Sequence, residues 1–135
     1  RIAATDLSAA MKQSPSLHRR LLHFVQAFMS QTAHTALANG QGKLEERLAR
    51  WLLMAHDRID GDTLPLTHEF LALMLSVRRP GVTVALQLLE RRDLIAAKRG
   101  VIAIKNREGL LRLANGFYGV PEAEYRRLIG ETAKT

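Results

Sequence analysis

A long stripe of apolar side chains dominates the first third of the chain. From Leu17 to about Ala38 the apolar residues recur at helical spacing, which predicts one face of an amphipathic helix. Ser14 or Ser16 beside Pro15 is typical of a helix start, and the glycines that follow Ala38 predict its end.

The side of this helix that faces away from the stripe carries polar residues. A long helix with a single apolar stripe usually packs on a copy of itself or on another domain. We predict that its histidines stay in water, because their spacing does not converge on one metal ion. These histidines are His18, His23 and His34. No periodicity precedes the helix, so residues 1–15 are predicted to be irregular.

Three shorter helical patterns follow, and a tight turn separates the last two. The first pattern spans Leu44 to Ala55, with its charged residues, Arg50 among them, mostly pointing outward. Thr67 predicts the N-cap of a short, largely buried helix, and the turn "SVRR" leads into a helix that runs to about Arg92. Two helices joined by so short a turn form a helix-turn-helix.

Two short apolar segments, residues 94–97 and 101–105, flank Lys98-Arg99-Gly100 and predict a β-hairpin with a basic tip. Asn106 predicts the cap of a helix that continues through "EGLLRLANGFYG", and Pro121 opens a terminal helix. Three tail aromatics should pin the tail to the hairpin-bearing domain: Phe117, Tyr118 and Tyr125. The order of elements predicts a mainly α fold with a small β-hairpin wing (α+β), a winged helix-turn-helix preceded by a long helix.

The charge of the chain indicates an anionic partner. Among 135 residues the formal net charge is +7 and cysteine is absent, which excludes disulfides, thiolate-bound zinc and thiol catalysis. Residues 78–105 hold seven Lys or Arg against two acids, so the positive charge concentrates on the second helix of the pair and on the wing. Nucleic acid is the commonest large anionic partner. No apolar run approaches the roughly 20 residues of a membrane span, and we expect a cytoplasmic protein.

The second helix of the helix-turn-helix has one side for the core and one that we predict enters the major groove of DNA. Val82, Leu86 and Leu89 recur at helical spacing and should cover the core. A recognition helix reads bases mainly with its N-terminal residues. The predicted base contacts are Arg79, Thr83, Val84 and Gln87. The predicted phosphate contacts are Thr67, His68, Arg78, Lys98 and Arg99.

No group of side chains predicts a catalytic or metal site. The string "HEFLA" begins like a zinc-protease pattern, but Ala72 stands where the second histidine is needed. Serine, histidine and aspartate occur, yet nothing orders them as a triad. We therefore expect neither an enzyme nor a metal or cofactor in this chain. One alternative stays open, a winged helix that binds an acidic protein partner, because a fold alone does not decide a function.

Residues 43 to about 130 resemble the C-terminal part of bacterial transcription regulators of the cyclic-AMP-receptor/Fnr family. The likeness rests on "RLARWLLMAHDR", "LTHEFLALML" and "VRRPGVTVAL", with wing and tail in the same order. It implies a DNA-binding domain over residues 43–135 and a dimerisation helix over residues 16–40. Residues 1–15 would then end an effector-binding β-barrel domain that is mostly absent from this chain. The side chains expected in the dimer interface are Leu17, Leu21, Phe24, Val25, Phe28 and Met29.

The same resemblance implies a function. The family binds pseudo-palindromic DNA as homodimers under the control of a small effector, for which a cyclic nucleotide is one candidate, and RNA polymerase is a candidate partner. Arg79 matches the family's most constant base-reading arginine. Pro80 stands where the best-known members have a glutamate that reads cytosine, and Val84 where they have a second arginine. The resemblance therefore implies a different DNA half-site for this chain.

Overall fold

The computed structural model describes residues 1–130, which form mainly helices with one small antiparallel sheet, as predicted. The helices are α1 (Ala4–Gln13), α2 (Pro15–Gln41), α3 (Leu44–His56), α4 (His68–Leu75), α5 (Arg79–Arg91), α6 (Arg107–Leu113) and α7 (Val120–Ile129). The strands are β1 (Thr63–Leu64), β2 (Ile95–Lys98) and β3 (Val101–Ile104). Residues 131–135, the end of the predicted DNA-binding domain, lie outside the described residues. Within residues 1–130 no helix is both long and apolar enough to cross a membrane.

Helices α3, α4 and α5 pack with the sheet around one apolar core. Val82, Leu86 and Leu89 of α5 are fully buried, which confirms the core-facing side predicted for that helix. The other large side chains that are fully buried in this core are Leu48, Leu52, Leu53, Leu64, Leu71, Ile95, Ile102 and Leu110. Burying one such side chain contributes about 1.5–3 kcal/mol, so this core holds the two helices of the helix-turn-helix in a fixed relation.

The connection between α4 and α5 has the geometry of a helix-turn-helix. Thr67 caps α4, its side chain accepting a hydrogen bond from the backbone N–H of Phe70 at 3.1 Å. At the other end Ser76 adopts the left-handed conformation with φ 51°. The N–H of Val77 then donates to the carbonyl oxygen of Ala72 at 3.0 Å, which closes the helix end. The short turn predicted between the two helices is confirmed.

The wing is a three-stranded antiparallel sheet in the order β1-β3-β2. The predicted hairpin of β2 and β3 is confirmed, and Gly100 at φ 75° supplies the left-handed residue of its turn. The extended backbone at Thr63 and Leu64 agrees with the restriction that Pro65 places on Leu64, but the pairing of these residues in β1 with Ala103 and Ile102 was not predicted. A strand of two residues is too short to show the alternation of apolar and polar residues that identifies longer strands.

The tail helix α7 covers the polar side of the long helix α2. His23 Nδ1 lies 3.2 Å from the carbonyl oxygen of Leu128, and Gln26 Nε2 donates to Glu124 Oε1 at 3.3 Å. The prediction that the polar face of α2 stays in water is therefore wrong at His23. The predicted attachment of the tail is also only partly correct, because α7 itself packs on α2.

Three further predictions are corrected by the structure. Residues 1–15 are not irregular but contain α1, whose apolar residues Leu7, Ala10 and Met11 share one side and are half-buried. Helix α6 ends at Leu113, because Asn115 and Gly116 take positive φ angles of 49° and 80°. Arg50 does not point outward; it is 4% exposed.

Candidate nucleic-acid interface

Helix α5 carries a proline in its first turn, a residue that would break a helix in its interior. Arg78 is extended, α5 starts at Arg79, and Pro80 lies in the first turn. The N–H groups of a first turn have no acceptor within the helix, so proline there loses no hydrogen bond and its fixed φ favours the helical conformation. Both arginines are exposed at this end of the helix.

The exposed side of α5 runs opposite its buried leucines. Val84 is 66% exposed, and Arg79 and Gln87 are also exposed, as expected for side chains that meet base edges. Arg91 lies one turn beyond Gln87 on the same side and is exposed too. Arg91 was not predicted, although its spacing of four from Gln87 would have indicated it. It extends the exposed face to the C-terminal end of α5.

Thr83 differs from the other predicted base contacts, because it is half-buried and its hydroxyl has partners. The hydroxyl donates to the carbonyl oxygen of Arg79 at 3.3 Å and lies 3.1 Å from His68 Nδ1. This contact joins the first residue of α4 to the first turns of α5 and leaves the methyl group of Thr83 as its remaining functional feature.

The predicted phosphate contacts lie at both ends of α5. Thr67 and His68 open α4, whose start adjoins the first turns of α5 through the contact between His68 and Thr83. At the other end, Lys98 and Arg99 are exposed at the tip of the wing. A third wing cation, Lys105, is engaged in an ion pair with Asp93 at 2.7 Å. Cationic groups and a helix N-terminus therefore flank the exposed face of α5, an arrangement that suits two stretches of DNA backbone beside a groove.

A buried arginine connects the long helix to the helix-turn-helix domain. Arg50 of α3 donates from Nη2 to Thr35 Oγ1 of α2 at 3.0 Å and from Nε to the carbonyl oxygen of Phe117 at 2.9 Å. Burial lowers the pKa of Arg50, and the nearby carboxylate of Glu122 acts in the opposite direction. One side chain thus ties together α2, α3 and the segment that leads into α7.

A second polar cluster fixes the tail to the helix-turn-helix domain. The Tyr118 hydroxyl donates to Asp57 Oδ2 at 2.5 Å, and Arg107 Nη2 donates to Asp57 Oδ1 at 2.7 Å and to the Tyr118 hydroxyl at 2.9 Å. Arg107 Nη1 also lies 2.8 Å from Nδ1 of His56, whose Nε2 lies 2.8 Å from Asp62 Oδ1. Burial, followed by the hydrogen bond to Asp57, raises the pKa of Tyr118 well above its ordinary value of 10.0. The expected attachment of Tyr118 to this domain is confirmed.

The apolar stripe of α2 is largely uncovered in the single chain. The exposed members of the predicted dimer interface are Leu17, Phe24, Val25, Phe28 and Met29, whereas Leu21 is half-buried. The rings of Phe24 and Phe28 stack with their centroids 6.4 Å apart. Leu22 and Leu37 are also exposed and were not predicted. So many large apolar side chains on one helix indicate a surface that another protein surface covers.

The part of the chain that matches a known family coincides with the helix-turn-helix domain. The sequence profile of the Crp-like helix-turn-helix domain matches residues 46–113, which is half of the chain and runs from α3 to the end of α6. A comparison with curated proteins gives no match.

Solved structures share the fold over a longer stretch. A CRP-family transcriptional regulator from Thermus thermophilus matches 65% of this chain with 26% identity and a TM-score of 0.59. A protein assigned to the Crp/Fnr family of regulators from Eubacterium rectale matches 80% of this chain with 23% identity and a TM-score of 0.63. The matches span 48% and 50% of those two proteins, so this chain covers about half of each of them. Through its Crp-like helix-turn-helix domain, the chain belongs to the Crp/Fnr family of transcriptional regulators.

Proposed function

We propose that this chain binds double-stranded DNA sequence-specifically, as the DNA-reading part of a homodimeric transcription regulator. The observation that carries the proposal is the exposed face of α5, where Arg79, Val84 and Gln87 lie between the N-terminus of α4 and the basic tip of the wing. Helix α5 would lie in the major groove, with the flanking elements on the two phosphate backbones.

The side chains of this face suit different parts of the base pairs. Arg79 would pair with O6 and N7 of a guanine, which is worth about 1–3 kcal/mol of discrimination. Val84 and the methyl group of Thr83 would contact the methyl group of a thymine, and Gln87 would bond a base or a phosphate. Pro80 cannot donate a hydrogen bond and does not contribute to polar readout. Arg91 would add a phosphate contact from the last turn of α5.

The uncovered stripe of α2 supports dimerisation. Two copies paired along this helix would present two α5 helices about one turn of DNA apart, roughly 34 Å, and would read a pseudo-palindromic site. Arg50 bonds α2 to the helix-turn-helix domain, so a shift of the paired helices would change the spacing of the two α5 helices. We assign effector control to this route.

The comparison with the solved regulators supports a proposal for the origin of the control signal. Because about half of each matched regulator lies outside the match, a sensor domain before α2 would bind a small effector, a cyclic nucleotide being one candidate. RNA polymerase is a further proposed partner, reached once the regulator is on DNA. A regulator of this kind would work in the cytoplasm, where bacterial DNA lies.

Selection of bound sequences from a random DNA pool, at low salt, tests the proposal. The chain should enrich a two-fold symmetric site with guanine at the position that Arg79 meets. Arg79→Ala should relax the choice at that position, whereas Lys98→Ala should weaken binding to all sequences and reduce the slope of log affinity against log salt by about one. Arg112→Ala, which removes an exposed arginine from α6 outside the proposed interface, serves as the control.

Two results would count against DNA reading by α5. If the chain binds all sequences equally and Arg79→Ala changes nothing that Arg112→Ala does not, sequence-specific readout is wrong. If the chain also binds an acidic protein more tightly than any DNA, the exposed face of α5 serves a protein partner.

A further inference from the structure

Glu90, in the last turn of α5, contacts the wing. Its Oε1 accepts a hydrogen bond from the backbone N–H of Ala97 in β2 at 2.7 Å. Glu90 is otherwise exposed, and it is the only acid within α5. The next residue after Ala97 is Lys98, the first cation of the wing tip.

The N–H of Ala97 needs such an acceptor because β2 lies at the edge of the sheet. The strand order β1-β3-β2 gives β2 one neighbour only. In an antiparallel pair, opposite residues alternate between those that exchange two hydrogen bonds and those that exchange none. Ala97, opposite Ile102, directs its N–H away from β3 and toward Glu90. The carboxylate of Glu90 therefore accepts a hydrogen bond from a backbone N–H that makes no bond to a neighbouring strand.

An acid at this position has two electrostatic disadvantages. A negative charge at the C-terminal end of a helix opposes the helix dipole, which favours cations there. A negative charge on a helix that lies against DNA also repels phosphates. The contact with Ala97 is the favourable interaction that distinguishes Glu90 from the exposed arginines beside it. The geometry therefore argues that the role of this side chain concerns the wing.

The base of the hairpin is already held by other contacts. Lys105 pairs with Asp93 at 2.7 Å, and the carbonyl oxygen of Leu94 accepts hydrogen bonds from the N–H groups of Lys105 and Asn106. These contacts lie at the end of the hairpin opposite its turn. Glu90 adds a hydrogen bond between α5 and the half of the hairpin that carries the basic tip, beside the packing of Ile102 in the core.

We infer that Glu90 is a positioning residue, which holds the tip of the wing at a fixed place relative to the DNA-reading face of α5. The phosphate contacts of Lys98 and Arg99 depend on this bond, because a tip that moves relative to α5 does not meet the backbone in one register. The link to DNA rests on the proposed function, whereas the link between Glu90 and the wing does not.

Amide hydrogen exchange in the absence of DNA tests the bond itself. Glu90→Gln and Glu90→Ala both remove the charge, but only Gln keeps a side-chain oxygen that can accept from Ala97. The N–H of Ala97 should exchange slowly in the wild type and in Glu90→Gln, and roughly tenfold faster in Glu90→Ala. Glu108→Ala, which removes an exposed acid of α6, is the control and should leave the exchange of Ala97 unchanged. Equal exchange rates in all four proteins would overturn the inference.

A double-mutant cycle with Lys98→Ala tests the consequence for DNA. In the wild type and in Glu90→Gln, Lys98→Ala should reduce the salt slope by about one. In the Glu90→Ala background, Lys98→Ala should change both the salt slope and the affinity by much less, because the tip of the wing is no longer held at a fixed place relative to α5. An equal effect of Lys98→Ala in all three backgrounds would overturn the positioning role. If the wild type does not bind DNA, the proposed function is wrong, while the exchange rates still decide whether Glu90 holds the wing.

Discussion

Replacing Tyr118 by phenylalanine tests whether the polar cluster at the start of the tail stabilises the fold. The substitution keeps the ring, including its stacking with Arg107, whose guanidinium carbon lies 5.7 Å from the ring centroid. It removes the hydroxyl that donates to Asp57 at 2.5 Å and accepts from Arg107 at 2.9 Å. Hydrogen bonds to charged groups contribute about 1.5–3 kcal/mol each. Because Tyr118 is only half-buried, we expect the free energy of unfolding to fall by about 1–2 kcal/mol.

Urea denaturation followed by circular dichroism measures this loss. All variants must be compared at one protein concentration, because self-association would add to the apparent stability. Tyr125→Phe is the matched control: it makes the same chemical change on α7, where the tyrosine is 40% exposed and its hydroxyl has no partner within residues 1–130. We expect Tyr125→Phe to stay within about 0.5 kcal/mol of the wild type.

The reasoning would be refuted by a loss in Tyr118→Phe no larger than that in Tyr125→Phe. Such a result would mean that water replaces the two hydrogen bonds at no cost, and that Asp57 and Arg107 hold each other equally well without the hydroxyl. If the urea dependence of the free energy of unfolding changes while the midpoint of the transition does not, the substitution has instead altered how compact the unfolded or the native state is.

Two further predictions concern pH and association. Folding raises the pKa of Tyr118 above the ordinary value of 10.0, so the folded state holds this proton more tightly than the unfolded chain. The stability advantage of the wild type over Tyr118→Phe should therefore be complete below pH 10 and become smaller above it. An advantage that stays constant in urea titrations at alkaline pH would contradict this. Phe28→Asp, on the uncovered stripe of α2, should shift sedimentation toward the monomer. Arg19→Asp, at an exposed position about 180° away around the helix, should not. Equal behaviour of the two variants would exclude the stripe as the dimer interface.

The elements that the sequence revealed are those whose determinants lie close together in the chain. The spacing of Val82, Leu86 and Leu89 identified both the helix α5 and its buried side, since helical periodicity needs only local information. The cap at Thr67 and the turn at Gly100 were recognisable for the same reason. The exposed face of α5 followed from the position of its buried face, apart from Arg91, which was missed, and Thr83, which is half-buried.

The features that the sequence did not reveal depend on contacts between distant segments. Arg50 was predicted to point outward because most arginines do, and its burial rests on Thr35 and Phe117, which are 15 and 67 positions away. The docking of α7 on α2 joins residues about a hundred positions apart, such as Gln26 and Glu124. No local pattern encodes such pairs, and a single sequence contains no record of which distant residues meet.

The position of α7 has a consequence for how many copies can assemble. Because the tail helix covers the side of α2 that carries His23 and Gln26, a second copy of the chain can pack only on the apolar side. Two copies that pack through this same side bury it in both subunits, and such an isologous interface leaves no free copy of the surface for a third subunit. Association through α2 would then stop at two subunits and could not extend into rings or filaments. The tail helix, far from the DNA-reading residues in sequence, would act as a determinant of stoichiometry.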